Sequence, residues 1–293
     1  MGTQAHLVVV GGRGTLADDA AARLAELERL WSRFLPDSEI SKCNALSGRA
    51  VAVSAETVQL VERAVTGWKM TEGRFDPTIL TALCDAGYDR DFRAAVRRAP
   101  DYLPPGTRSV PGCAGIAWDV EARTVTFPAG VSFDPGGIGK GLAADIVTEE
   151  LLAAGAAGAL VSVGGDVRVR GEAPDGPTWT IAIDDASRAG VELFQIGLHD
   201  GEVATSSRLQ RAWQTRGGAA HHLIDPRTGK PAETPLVAVS AVASEGWWAE
   251  IVAKAVLIGG LNVDAGERLA ARLVTVADDG SVRCDEQIGA LGA

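Results

Sequence analysis

The sequence predicts an α+β fold, and three observations carry that expectation. Strand-like and helix-like segments follow one another irregularly, without the β-α rhythm of a doubly wound sheet. A long stretch near the start repeats apolar residues at three and four, the helical period. From 158 to 205 the chain breaks into short β-rich runs bounded by turn residues. In order, HLVVV (6–10) reads as a buried strand, and Ala20, Leu24, Leu27, Trp31 and Phe34 line one face of a helix from Leu16 to Phe34. PDSEISKCNALSG (36–48) reads as a polar loop. Ser54 is the N-cap of a helix reaching Thr71. A Pro/Gly-rich loop over 100–112 precedes strands near 114–119 and 123–127. DPGGIGKG (134–141) opens a helix that runs to Ala154 and stops at Gly155. Strands follow at 158–163, 166–171, 178–183, 192–198, 201–205 and 236–243, then a helix over 247–258 and a hairpin, ARLVTVADDGSVRC. With no repeat and no long linker, residues 1–293 read as a single compact domain.

Charge and cysteine usage narrow the function. A net charge of −10 and a pI near 5.0 argue against a nucleic-acid or anionic membrane surface. A small anion can still bind through local cations and backbone N–H groups. Cys43, Cys84, Cys113 and Cys284 are scattered without CxxC spacing, as expected of reduced thiols in the cytoplasm. The start lacks a basic segment followed by an apolar run, and no apolar run is long enough to cross a bilayer, so no export signal or membrane anchor is expected.

Several motifs carry chemistry. Gly12-Arg13-Gly14-Thr15-Leu16-Ala17 fits a dinucleotide fingerprint, but its helix runs into a polar loop rather than a strand, so a tight strand-to-helix turn explains the glycines. In Asp134–Gly141, four glycines and Lys140 open a helix. N–H groups and a cation then converge where a phosphate or pyrophosphate could bind, and a plain glycine-rich helix entry is the alternative. Gly164-Gly165-Asp166 is either a hairpin turn or a close approach to a flat ligand. Thr205, Ser206 and Ser207 precede Arg208 and Arg211, and serve either as phosphate ligands or as a helix N-cap. His221 and His222 run into Asp225-Pro226-Arg227-Thr228-Gly229, a turn in which Gly229 can supply a left-handed residue. On a strand only one of the two imidazoles faces a given site, and a neutral imidazole held there can accept a hydroxyl proton. Glu250 and Lys254 stand one turn apart in an otherwise apolar helix. Such a pair is internally matched, binds an ion or faces a site.

Taken in order, WSRFLPDSEISKCNA, EGRFDPT (72–78), DPGGIGKGLAAD, VSVGGDVRVRG, WTIAIDD, VATSS, HHLIDPRTGKP and AEIVAKAVLIGG, together with the opening MGT, resemble the FAD:protein FMN transferases, the ApbE flavin transferases, over nearly the whole chain. The resemblance implies an ApbE-like, T-fold-related domain with mixed sheets and flanking helices. It implies an enzyme that binds FAD and Mg²⁺, splits the pyrophosphate, passes FMN to a Thr or Ser hydroxyl of an acceptor flavoprotein and releases AMP. Asp134, Gly136, Gly137 and Lys140 then lie near the pyrophosphate, and Asp145 is a further cofactor-binding residue. Ser38, Asn44, Asp76 and Thr78 lie in segments that shape the flavin site. Gly164, Gly165, Asp166, Thr205, Ser206 and Asp225 also lie beside the cofactor. His222 takes the place of the base that deprotonates or orients the acceptor hydroxyl, with Lys140 and Thr205 as its catalytic companions. The carbonyl of Gly139 and the positions of Glu250 and Lys254 correspond to the metal site. Three departures stand out. The family's usual aspartate and threonine on the last helix are Glu250 and Lys254 here, so Lys254 either replaces part of the metal's charge or pairs with Glu250. The chain shows no export signal, and Ser207 follows the T-S pair where glycine is common. Two other activities fit the same residues: an FAD pyrophosphatase, and a non-catalytic flavin-binding or delivery protein.

Overall fold

The computed structural model describes residues 3–98, 101, 102, 104, 106, 108–188 and 190–291. Residues 100, 103, 105 and 107 of the expected 100–112 loop, and Met1 and Gly2 of the opening MGT, lie outside them. The elements begin with β1 (Ala5–Val10), α1 (Leu16–Trp31), α2 (Glu39–Ala45), β2 (Ala50–Ala52) and α3 (Ala55–Met70). A 3-10 turn (Pro77–Ile79), α4 (Leu80–Asp85), α5 (Phe92–Arg98), β3 (Ala117–Asp119) and β4 (Thr124–Thr126) follow. Next come α6 (Gly139–Ala153), β5 (Gly158–Val163), β6 (Asp166–Gly171), β7 (Trp179–Asp184), β8 (Glu192–Leu198) and β9 (Asp200–Ser207). Four short strands follow: β10 (Ala212–Thr215), β11 (Gly218–His221), β12 (Ile224–Asp225) and β13 (Lys230–Pro231). The chain ends with β14 (Leu236–Ala243), α7 (Gly246–Gly259), α8 (Ala265–Arg268), β15 (Arg272–Ala277), β16 (Val282–Cys284) and α9 (Glu286–Leu291). The class is α+β, and every strand pairing among the described residues is antiparallel.

The described residues fall into two compact units. The first comprises residues 1–27, 138–207 and 235–293, and is built on a seven-stranded sheet of order β1-β5-β6-β9-β14-β15-β16. Helices α6 and α7 pack on this sheet and on each other. Strand alternation sends Val167, Val169 and Val203 to the opposite face, where they join Trp179, Ile181, Ile183 and Ile196 of the β7–β8 hairpin and Ile288. Asp166, Arg168 and Glu202 have the other parity, and Arg168 stands directly opposite Glu202. Every residue of α7 except Lys254 and Gly259 is buried, as its almost unbroken apolar sequence requires. Gly260 closes α7 at φ 59°, and Gly155 closes α6 at φ 99°.

The second unit comprises residues 28–137 and 208–234. It contains α2 to α5, the three-stranded sheet β2-β4-β3 and the hairpins β10–β11 and β12–β13. Its core gathers Leu83, Tyr88, Ala95, Trp213 and Ile224. A second contact stacks Phe127 on Phe133, with ring centroids 5.3 Å apart. The segment 36–48, expected as a loop, contains α2. Ser38 caps it by accepting from the Ser41 N–H at 3.0 Å, a pattern hidden among polar residues because the helix has only two turns.

The heads of α6 and α7 meet where glycine is required. A Cβ on Gly141 would collide with the carbonyl group of Gly246 and the nitrogen of Trp247, all backbone. Gly141→Ala is expected to cost about 1–3 kcal/mol in urea unfolding, the usual range for overpacking. Gly14→Ala, at a glycine with open space around it, should stay within about 0.5 kcal/mol of wild type. Equal effects at the two positions would contradict the close packing.

Candidate functional site

In the first unit the site begins with the register of α6. Gly141 and Asp145 lie four residues apart and therefore share a face. Gly141 admits the backbone of α7, and Asp145 receives it: the Gly246 N–H donates at 2.8 Å and the Trp247 N–H at 3.0 Å. Asp145 thus caps a helix that has no cap of its own, since Glu245 makes no side-chain cap bond. Arg168 completes the joint by donating from Nε to Asp145 at 2.9 Å. This joint fixes Glu250, one turn into α7.

Lys140 then lies between two buried carboxylates. Its ammonium ion-pairs with Asp166 and reaches Glu250 Oε1 at 3.1 Å. Glu250 Oε2 accepts from the Gly141 N–H at 3.0 Å. Asp166 also accepts from the Thr205 N–H at 3.0 Å. The Thr205 hydroxyl meets the Ser240 hydroxyl at 2.8 Å. Burial alone would lower the Lys140 pKa, but Asp166 and then Glu250 raise it above the ordinary lysine range, so the ammonium stays charged. Burial likewise pushes Asp145 upward, against its hydrogen bonds and Arg168.

Glu202 was not singled out from the sequence. It is fully buried, and neither carboxyl oxygen has a hydrogen-bond partner among the described residues. Burial, reinforced by Asp145, Asp166 and Glu250, raises its pKa well above the ordinary value. The alternation of DGEVATSS is the signal that could have exposed it, because Glu202 takes an inward position on a central strand. The same alternation corrects the helix-cap alternative for Thr205–Ser207, since all three lie in β9.

Gly164 and Gly165 have φ of 65° and 96° and join β5 to β6 as a two-residue hairpin, which sets Asp166 at the head of its strand.

The residues expected at the metal position do not fit a divalent ion. Both oxygens of Glu250 are engaged, one by an ammonium and one by a backbone N–H. Lys254 offers no lone pair while protonated. Gly139 is the first residue of α6, and its carbonyl lies within the helix ladder that the Ile138 carbonyl starts by accepting from the Leu142 N–H at 3.0 Å. Among the described residues no three His, Cys, Asp or Glu side chains converge as metal ligands.

In the second unit the expected flavin-shaping residues build a frame. Asn44 holds Phe133 at both backbone groups, at 2.9 and 2.7 Å. Asp134 accepts from the Gly136 N–H at 2.9 Å and lies 3.5 Å from Arg33. Asp76 caps the 3-10 turn through the N–H and hydroxyl of Thr78, and the Thr78 hydroxyl accepts from the Gly112 N–H. Asp225 binds the backbone and guanidinium of Arg227, which with Gly229 at φ 65° fixes the turn after the histidines. His221 is committed: its Nδ1 accepts from the Leu223 N–H, and its Nε2 lies 3.2 Å from the Ala232 carbonyl. Burial lowers its pKa, so it stays neutral. His221 also lines a cavity of about 920 Å³ with Asp85, Trp213, Lys230 and Glu233. His222, just beyond β11, is half-buried and donates its backbone N–H to the Arg211 carbonyl. Phe34, expected as the last apolar position of the first helix, lies beyond the end of α1 at Trp31 and is exposed, and the Arg33 guanidinium, unmarked in the sequence, stands 4.1 Å from its ring and 4.8 Å from that of Tyr88.

The ApbE family model matches residues 1–277. A FAD:protein FMN transferase from Vibrio cholerae serotype O1 is 26% identical over 279 residues, covering 91% of this chain and 81% of that protein. One from Treponema pallidum is 31% identical over 254 residues, covering 81% and 69%. The crystal structure of the ApbE protein of Thermotoga maritima superposes with a TM-score of 0.85 at 26% identity, covering 99% of this chain and 96% of that one.

Glu202 makes a pH prediction. Between its ordinary value near 4.5 and its raised folded value, the native state keeps a proton that the unfolded chain has released. Stability therefore falls as pH rises through that window. Glu202→Gln removes this share of the slope. Its melting temperature should approach wild type near pH 5 and exceed it at pH 8 by at least about 2 °C, the shift for roughly 1 kcal/mol in a chain of this size. Parallel melting profiles from pH 5 to 8 would show that Glu202 does not titrate as described.

Proposed function

The chain belongs to the ApbE family, and on that premise we propose that it is a FAD:protein FMN transferase acting on a Thr or Ser hydroxyl of an acceptor flavoprotein. The observation that carries the reading is the charged, held Lys140 at the head of α6, where helix N–H groups and an ammonium suit a pyrophosphate. The matched relatives are named for this activity. All four cysteines are free thiols, which supports a reducing, cytoplasmic setting. The match over residues 1–277 supports treating both units as parts of one functional domain.

In this reading FAD is the substrate. In the first unit Lys140 meets the pyrophosphate charge, Asp166 holds the ammonium in place, and Gly164, Gly165, Thr205 and Ser206 flank Asp166. In the second unit, Ser38, Asn44, Asp76, Thr78 and Asp134 keep the flavin-facing segments rigid, and Asp225 fixes the turn behind His222. His222 takes the proton of the acceptor hydroxyl. The hydroxyl oxygen attacks the FMN phosphorus, a phosphoester forms, the pyrophosphate P–O bond breaks, and AMP leaves with the bridging oxygen. Positioning and charge neutralisation dominate such phosphoryl transfer. No step is assigned to Mg²⁺, since the residues at its expected position do not fit it.

The test is incubation of the protein with FAD and a peptide carrying an acceptor threonine, with mass spectrometry of the peptide and chromatography of the nucleotides. Flavinylated peptide and AMP should appear in equal amounts. His222→Ala should slow transfer by roughly 100-fold or more, the usual share of a general base. Free FMN and AMP without labelled peptide would instead indicate a pyrophosphatase, and intact FAD a binding protein. Full activity of His222→Ala would remove the assigned base.

A further inference from the structure

Resting on the transferase reading, we propose that the Lys140 ammonium takes the place of a divalent ion beside Glu250, so that transfer needs no such ion. Glu250 would be the natural anchor for such an ion, yet its Oε1 is 3.1 Å from the Lys140 ammonium and its Oε2 accepts the Gly141 N–H at 3.0 Å. Mg²⁺ requires oxygen ligands at about 2.0–2.1 Å in near-octahedral geometry. An ion placed on Oε1 would therefore sit against an ammonium already within hydrogen-bonding distance of that oxygen.

Lys254 is half-buried one turn further along α7, on the stripe that carries Glu250. As an ammonium it offers no lone pair to a metal. A divalent ion at Glu250 would meet the Lys140 ammonium at close range, and like charges so placed repel.

The probe is Mn²⁺ added to the metal-stripped full chain, followed by electron paramagnetic resonance of the free ion with and without FAD. The expected result is no protein-bound Mn²⁺ up to about 1 mM, an affinity too weak to matter. Transfer in excess EDTA should stay within about twofold of that in Mg²⁺, a barrier change below about 0.5 kcal/mol. The double variant Glu250→Asp/Lys254→Thr is expected to gain a bound Mn²⁺ signal. Stoichiometric Mn²⁺ binding by the wild type at about 10 μM, or a tenfold loss of transfer in EDTA restored by Mg²⁺, would overturn the proposal. If no transfer occurs in any condition, the transferase reading fails, while the Mn²⁺ measurement still decides whether this site takes an ion.

Discussion

An ammonium group held between two buried carboxylates is the constraint on which the first unit is arranged. Lys140 meets Asp166 and Glu250 at a point where both acids are almost fully buried. Charges removed from water persist only when matched and hydrogen-bonded. Much of the surrounding detail serves that match. Gly141 and Gly246 let the heads of α6 and α7 approach, Asp145 caps α7, and the cap sets the rotation that aims Glu250 at Lys140. The Gly164–Gly165 hairpin brings Asp166 to the same ammonium from the sheet. Burial, reinforced by Asp145, Asp166 and Glu250, pushes the Glu202 carboxyl beside them well above its usual range.

The second unit meets a different requirement, which is to hold segments still without regular structure. It does so with short polar side chains bonded to backbone. Asn44 clamps Phe133, Asp76 caps the 3-10 turn and Asp225 closes the turn after the histidines. His221 is spent in the same way, its two ring nitrogens engaged with Leu223 and Ala232. The adjacent His222 is the residue given a chemical task in the proposed reaction.

The long elements were legible because their periods are strong. Helix α1, α3, the glycine stop of α6 and the main strands follow from spacing and caps. The short elements were not. Helix α2 has only two turns and a polar exterior, and β10 to β13 are two to four residues long. At the site, the motif order drew attention to Lys140, Asp166, Glu250 and His222, but nothing local paired Lys140 with Glu250, which lies 110 positions away. That contact depends on two helices crossing at glycines. Glu202 escaped because a lone acid in a strand looks solvated until its neighbours in the sheet are known. Asp145 and Ser38, expected beside the cofactor, have capping bonds as their visible work.

The central claim is that Lys140 serves as the internal cation of this cluster. Its most direct test is a double-mutant cycle in urea unfolding with Lys140→Met and Glu250→Gln. Each single variant leaves a buried charge or polar group short of a partner and should cost about 3 kcal/mol or more. The double variant should cost less than the sum by roughly 1–3 kcal/mol, the coupling of contacting charges. Effects that add within about 0.5 kcal/mol would contradict the claim.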